Sequence, residues 1–260
     1  FINVVIHRLP LMMLKAWRAE AEAVLADDTA LPEGDFDLVR PRSRCPSCGH
    51  PIGALQNVPL LSWALMRGRC RHCGAGISVR YPVVELGGAA IAALALWHFG
   101  AGWQALAACA FGWALIALAV IDLDTQLLPD DITVPLLWLG LLVNLAGMFT
   151  SLGDAVVGAA AGYGVLWGIF HLFRLVTGKE GMGYGDFKLL AAIGAWLGWQ
   201  ALPVVILLSS LVGAVVGIAL ILFRGHDRQI PIPFGPYLAA AGLLAMYAGE
   251  TITSQYLRLF

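Results

Sequence analysis

The residues Gly181-Met182-Gly183-Tyr184-Gly185-Asp186, with Phe187-Lys188 behind them, set a carboxylate between two long apolar stretches. A charged side chain at the centre of a membrane helix costs roughly 2.5–3.5 kcal/mol on insertion scales, so an acid in this setting marks function by default. Glycine opens backbone geometries closed to other residues and lets a second backbone or a substrate come close. Three of them at alternate positions read as an irregular approach to a helix start, with Asp186 projecting beside a cleft. The partner at matching depth is Asp122, which closes the apolar run 105–121 and opens the stretch of mixed polarity that ends at Thr133.

Two carboxylates held close cannot both ionise cheaply, so one keeps its proton while the other serves as a base. Such a pair can activate water on a peptide carbonyl. The carboxylate takes the proton of the attacking water, and the protonated partner polarises the carbonyl and later helps the amine leave. Asp122 and Asp186 are therefore the expected catalytic residues. The competing reading of Asp186 is a helix N-cap ahead of Phe187-Lys188-Leu189-Leu190; the glycines before it and Asp122 at the same depth favour catalysis. Asp124 lies two residues from Asp122, points away from it on a helix and is expected in solvent. Asp130 or Asp131, between Pro129 and Ile132, is expected to cap the next helix, with support of substrate or dyad as the second choice. Lys188 reads as a cytoplasmic charge, with tuning of Asp186 as the lesser alternative.

A second group of residues points to metal. Cys45-Pro46-Ser47-Cys48 and Cys70-Arg71-His72-Cys73 are two CxxC pairs separated by 21 residues, close to the spacing of tetrathiolate zinc sites. Four thiolates at tetrahedral distance make a closed, structural zinc site with no open catalytic position. A disulfide or redox pair is the alternative in an oxidising compartment. His50 and His72 stand beside the pairs as substitute ligands, while Cys109, in an apolar run, is expected in the core.

The elements that must position these groups are membrane helices. The chain has 260 residues, 59% of them hydrophobic and only 13% charged, with a mean hydropathy of +0.78. Ordinary soluble domains are about 25% charged, so the expected fold class is an all-α polytopic membrane protein. A net charge of −1 argues against nucleic acid as a partner. The chain opens on Phe1 without a methionine, and residues 1–10 read as the exit of a first spanning helix whose beginning is absent. Residues 11–80 hold nine of the sixteen Lys and Arg, the Gly/Pro/Asp-rich stretch 26–41 and four of the five cysteines. They read as a small zinc-binding domain inserted after the first helix. From 81 to 260 the chain reads as a transmembrane domain with apolar spans near 82–102, 104–121, 132–149, 155–177, 187–199, 201–223 and 233–249, about seven to eight transmembrane helices in all. The span 187–199 is short of the roughly 20 residues a crossing needs, so it is expected to be tilted or sheltered by its neighbours.

Basic residues orient these spans. With the cysteine domain in the cytoplasm, alternation puts the loops near 122–131, 178–186 and 224–232 on the same side. These loops and the helix ends beside them hold Arg174, Lys179, Lys188, Arg224 and Arg228, while the opposite loops near 99–104, 150–154 and 199–202 hold no Lys or Arg. Arg258 alone falls outside this pattern, which follows the positive-inside rule. Asp122 and Asp186 then both lie at cytoplasmic helix ends, where they can meet. Glu85 enters its span behind Arg80-Tyr81-Pro82, either at the interface or facing a site. Asn144 and Ser209-Ser210 are expected to bond across helices, and Pro231-Ile232-Pro233-Phe234-Gly235-Pro236 reads as a stiff loop feeding the last helix.

Asp122 with Pro129-Asp130, Gly183-Tyr184-Gly185-Asp186, the two CxxC pairs, Phe1-Ile2-Asn3-Val4 with His7-Arg8-Leu9-Pro10, and Pro233-Phe234-Gly235-Pro236 together resemble the bacterial type IV prepilin peptidases, over nearly the whole chain. GxGD alone also resembles presenilin-like and preflagellin peptidases, neither of which carries such a tetracysteine domain. The resemblance implies a multi-pass aspartyl protease of the bacterial inner membrane, with its zinc domain and active site on the cytoplasmic side. It would remove short basic leaders from type IV prepilins or type II secretion pseudopilins, cutting after a glycine and before a residue that is usually phenylalanine. Carried over by motif position, the catalytic pair falls on Asp122 and Asp186. The resemblance further implies S-adenosylmethionine as methyl donor for N-methylation of the new terminus, a role that no glycine-rich fingerprint in this chain locates; Gly68 and Glu85 are the positions considered for it. Two rival readings are a carboxylate-coupled transporter, which predicts acids near the midplane and repeated helix pairs, and a zinc-domain membrane adaptor without catalysis, which leaves the glycine-aspartate stretch unexplained.

Overall fold

Every regular element among the described residues is helical, and the only strand-like pairings there are two isolated bridges, Arg44 with Pro51 and Arg69 with Gly76. The computed structural model describes residues 1–22, 37–38, 42–53, 56, 58–179, 182–224 and 233–257. Gly181, Arg228, Pro231, Ile232, Arg258 and most of the stretch 26–41 lie outside them. Contacts divide the chain into two units, Phe1–Leu94 and Ala95–Phe260.

The first unit contains α1 (Ile2–Glu22), the short α2 (Leu61–Leu65) and most of α3 (Arg80–Phe99). Its small elements are tied by specific contacts rather than by a large core. Glu85 accepts a 2.8 Å hydrogen bond from the amide of Leu60, a residue held at a left-handed φ of 59° where the chain turns into α2. Trp63 of α2 donates to the carbonyl of Ile77 at 3.3 Å and lies against Gly68, where a Cβ would come 2.9 Å from the indole ring. Glu85 and Gly68 are thus parts of the scaffold that holds the turn before α2 and the turn after it.

The second unit is built around a helix that is short and almost wholly buried. After α4 (Trp103–Thr125), α5 (Asp130–Asn144) and α6 (Leu152–Thr177) comes α7 (Tyr184–Leu197), followed by a 3₁₀ turn at Trp199–Ala201, α8 (Leu202–Arg224) and α9 (Gly235–Leu257). The 14 residues of α7 reach about 21 Å at 1.5 Å per residue, well under the roughly 30 Å of a bilayer core. From Leu189 to Trp196 every residue of α7 is buried, because α5, α6 and α9 all pack on it. The short span is sheltered by its neighbours, one of the two outcomes expected for it.

Small residues make that packing close. A Cβ on Gly158 of α6 would run into the backbone carbonyl of Gly194 on α7, and one on Gly162 would come 2.6 Å from the carbonyl of Leu190. Gly158-Ala-Ala-Ala-Gly162 therefore acts as a small-residue seam that lets two helix backbones touch where hydrophobic exclusion of water is not available as a driving force. Polar groups fasten α5 to the same helix. Buried Asn144 donates to the carbonyls of Ala195 and Trp196 at 2.9 and 3.0 Å and accepts the amides of Phe149 and Thr150. The Trp196 indole donates to Leu136 at 2.8 Å. The cross-helix bonding expected of Asn144 is present. Ser209 instead donates to Ile206 within its own helix at 3.1 Å, since a serine hydroxyl can reach the carbonyl one turn back.

Among the described residues, four helical segments are long and apolar enough to cross a membrane: Arg80–Phe99, Trp103–Thr125, Leu152–Thr177 and Trp199–Leu220. They also leave apolar side chains uncovered, among them Leu175 and Val176 on α6 and Leu207, Leu211 and Leu222 on α8. Large apolar side chains exposed in such number suit a lipid-facing surface better than a water-facing one.

Candidate functional site

Asp122 sits in the last turn of α4 and Asp186 in the first turn of α7, and both are buried, at 5% and 6% exposure. Helix α4 ends because Gln126 turns left-handed at φ 54° and returns its amide to the carbonyl of Asp122 at 2.9 Å. The cap of α7 is Gly183, which has no side chain to cap that end, while the Asp186 carboxyl accepts a hydrogen bond from the Gly183 backbone. Asp186 therefore lies three residues inside the helix, and the N-cap role weighed for it does not occur. Its Oδ1 is buried with no hydrogen-bond partner, a costly state for a carboxyl oxygen unless a ligand completes it.

The two acids share one neighbourhood. Asp122 is near enough for its charge to act on Asp186. Leu128, in the turn after α4, lies against Gly185, the neighbour of Asp186 in α7, and against Gly235, which faces Asp122: a Cβ on Gly185 would come 2.7 Å from its Cβ, and one on Gly235 would come 3.2 Å from its Cδ2. At Gly235 the chain begins α9, and its amide donates a 2.9 Å hydrogen bond to Asp122 Oδ2. That approach requires glycine, because a Cβ there would stand 2.7 Å from the same oxygen. In sequence the Pro233-Phe234-Gly235-Pro236 stretch reads as part of a stiff loop and as one motif of the family resemblance, with no role assigned to any of its atoms. Nothing in its residue types discloses that one amide faces an acid 113 residues away.

The flanking acids fall out differently. Asp124 is exposed, as expected. The capping expected of Asp130 or Asp131 does not occur: the cap of α5 is Pro129, with no side-chain cap, and both acids lie one step further in, within the first turn. There a carboxylate still favours the helix dipole. Asp130 also takes both of its oxygens to Lys188 Nζ at 2.7 Å, joining the starts of α5 and α7. Lys188 is therefore half-buried in an ion pair, and its charge is directed at Asp130.

The four cysteines converge in the first unit. Their Sγ atoms all lie within 4.8 Å of one another, with Cys45 and Cys73 at 3.9 Å, and all four are free thiols. Zinc–thiolate bonds of about 2.3 Å in a tetrahedron put sulfurs about 3.8 Å apart, so this donor set fits a tetrathiolate metal ion. Each pair is carried by the same turn, repeated at an offset of 25 residues. The Cys45 amide donates to the His50 carbonyl at 2.9 Å and the Cys70 amide to the Ala75 carbonyl at 2.8 Å, while Gly49 and Gly74 take φ of 68° and 73°. The parallel runs Arg44-Cys-x-x-Cys-Gly49 and Arg69-Cys-x-x-Cys-Gly74 are visible in the sequence once the cysteines are aligned. Amides of Cys48 and Ser47 directed at the Cys45 sulfur lower its pKa to about 6, and those of Cys73 and His72 lower that of Cys70. His50 and His72 stack on each other at 4.4 Å and lie outside the thiol cluster.

Comparison with known proteins accounts for both halves of the chain. Residues 109–218 match the model of the type IV leader peptidase family, and residues 1–99 match that of the bacterial peptidase A24 N-terminal domain. A protein of Aeromonas salmonicida named prepilin leader peptidase/N-methyltransferase is 59% identical over 259 residues, covering 99% of this chain and 89% of the relative. Proteins of the same name from Pseudomonas aeruginosa and Burkholderia pseudomallei are 53% and 54% identical, covering 99% and 96% of this chain and 89% and 81% of the relatives. No solved structure matches the chain. With Asp122 and Asp186 brought together inside the first matched region and the cysteine cluster inside the second, the chain belongs to the type IV leader peptidase family.

Proposed function

We propose that this chain is a membrane-embedded aspartyl endopeptidase that cleaves the basic leader from type IV prepilins or pseudopilins and then N-methylates the new terminus with S-adenosylmethionine. The observation that carries the first activity is the buried, partnerless oxygen of Asp186 beside a second buried acid from another helix. Asp122 Oδ2 already accepts an amide, which suits the charged member of the pair. In this reading Asp122 takes the proton of the attacking water. Asp186, with an oxygen that has no donor, carries the proton, polarises the scissile carbonyl and then gives its proton to the leaving amine. Gly235 and the Gly183–Gly185 turn leave the backbone low enough for an extended peptide to reach both acids.

The reading includes a topology of seven to eight spans, made of residues 1–10 as the end of a first span, whose helix α1 runs on to Glu22, and of α3 to α9. Residues 11–80 are the inserted cytoplasmic domain and 81–260 the protease domain. Supporting it are the basic loops on one side and the location of both acids at helix ends adjoining that side. A prepilin whose apolar helix lies in the bilayer would present its cut site at this level.

Zinc is the metal proposed for Cys45, Cys48, Cys70 and Cys73. Four thiols leave it no open position, so its part is to hold the inserted domain together. The methyl donor has no such fit at the two residues considered for it: Gly68 is covered by Trp63, and Glu85 is engaged by the Leu60 amide. The deciding experiment incubates membranes containing the protein with a prepilin and follows leader removal and methyl incorporation separately. Leader removal that survives both Asp122→Asn and Asp186→Asn would overturn the proposal.

A further inference from the structure

A cavity of about 310 Å³ opens between α6, α8 and the start of α9. One wall is Leu166 and Ile169 of α6 and another is Ile206 and Ala214 of α8. Ile206 and Ala214 are eight residues apart, so they share one helix face. Its rim is formed by Met182 and Phe234, and these positions connect it to the acids. Met182 immediately precedes Gly183, the cap of the helix that carries Asp186. Phe234 immediately precedes Gly235, whose amide holds Asp122. The two loops that place the dyad thus also border the cavity. Ile169 is 46% exposed and Ala214 is also exposed, so the cavity is open on its lipid-facing flank.

We propose that this cavity is the subsite for apolar side chains that follow the scissile bond, entered sideways from the bilayer between α6 and α8. The inference rests on the peptidase reading above, which makes the substrate a membrane-inserted apolar segment behind a polar leader. The volume suits one or two large apolar side chains, at the lower end of the range for small-ligand pockets. Apolar walls supply affinity by burial without demanding particular hydrogen bonds, so the site reads size and hydrophobicity. A basic leader, by contrast, meets no acidic side chain in this lining, whose polar members are Ser210 and Tyr237, and stays on the aqueous side of the dyad.

The test compares two substrates: an intact prepilin, and a soluble peptide that carries the leader and cut site but ends shortly after the cut. Ala214→Trp fills the cavity, and Val212→Trp puts the same bulk on another face of α8. Ala214→Trp is expected to lower kcat/KM on the prepilin about tenfold relative to the peptide, mainly through KM, while Val212→Trp does not shift that ratio. Equal loss on both substrates, or no loss on either as for a cavity that holds only a lipid acyl chain, overturns the subsite. A second measurement uses Ala214→Cys in an Asp186→Asn background with a prepilin bearing a cysteine in the first turn after the cut. A cross-link is expected from position 214 and not from Val212→Cys, and its absence also overturns the subsite. Failure of the wild type to cut either substrate instead sinks the peptidase reading itself.

Discussion

Gly235 and Asp122 are joined by a 2.9 Å hydrogen bond from the amide of the first residue of α9 to a carboxylate in the last turn of α4. The contact ties a proline-flanked loop to the acid that the proposed mechanism uses as base. A Cβ at this position would stand 2.7 Å from the same oxygen, so either the loop or the carboxylate must move. Gly235→Ala is therefore expected to lower kcat by about a hundredfold, the scale of a small misplacement at a reacting group, with a smaller change in KM. Prepilin cleavage kinetics check it, and an unchanged kcat would separate the loop from the chemistry.

Asp186→Asn distinguishes a reacting acid from a structural one. Because Gly183 caps α7 and Asp186 Oδ1 has no partner, the amide costs the fold no hydrogen bond to that oxygen and removes a buried acid. The variant is expected to unfold at the wild-type temperature or above it in detergent, while cleavage falls at least a thousandfold, ~10³ being the scale for loss of a catalytic group. A variant that keeps its activity refutes the assignment.

Asn144 is the polar fastening of α5 to α7, and its four hydrogen bonds are all to backbone groups. Asn144→Leu keeps the bulk and leaves two carbonyls and two amides without those bonds. Stranding buried groups costs about 1–3 kcal/mol each where nothing replaces the partner, so the expected loss is several kcal/mol. Thermal unfolding in detergent should show a midpoint lower by several degrees, with the surviving folded fraction still able to cleave.

The cysteine cluster is expected to hold one zinc ion per chain, measured by metal analysis of purified protein, and to lose it in Cys45→Ser or Cys70→Ser. The pH dependence has a definite sign. Cys45 ionises near 6 in the folded unit against 9.0 for a free thiol, so between those values the folded state binds fewer protons and this group stabilises it increasingly as pH rises. That contribution is lost as pH falls through about 6, and zinc, which needs thiolates, is lost in the same direction. Zinc content that stays constant down to pH 4, well below that range, would contradict the ligand assignment.

Much of this arrangement was legible in the order of residues, for reasons that differ from place to place. The metal site could be read because its ligands are local pairs with fixed spacing, and a thiol has few other uses in such a pattern. Asp122 and Asp186 stood out because acids next to long apolar runs are costly and therefore few. Asp130 was misread: the expectation that it or Asp131 caps α5 used only neighbours in sequence, whereas Pro129 takes the cap and Lys188, 58 residues away, takes the charge. Ser209 was misread in the opposite direction, as a cross-helix partner when its bond is to its own helix.

By itself the sequence determined that this chain is helical, apolar and provided with two acids and four thiols at spacings that suit hydrolysis and metal binding, because each of those properties depends on residue type and short-range order. The tertiary structure decided which distant amide reaches Asp122, which oxygen is left without a partner, how a 14-residue helix is hidden from lipid, and where a cavity adjoins the dyad. Those features arise between segments that are far apart in the chain, and a contact of that kind has no local trace: an amide at Gly235 is chemically the same as any other until packing aims it at Asp122.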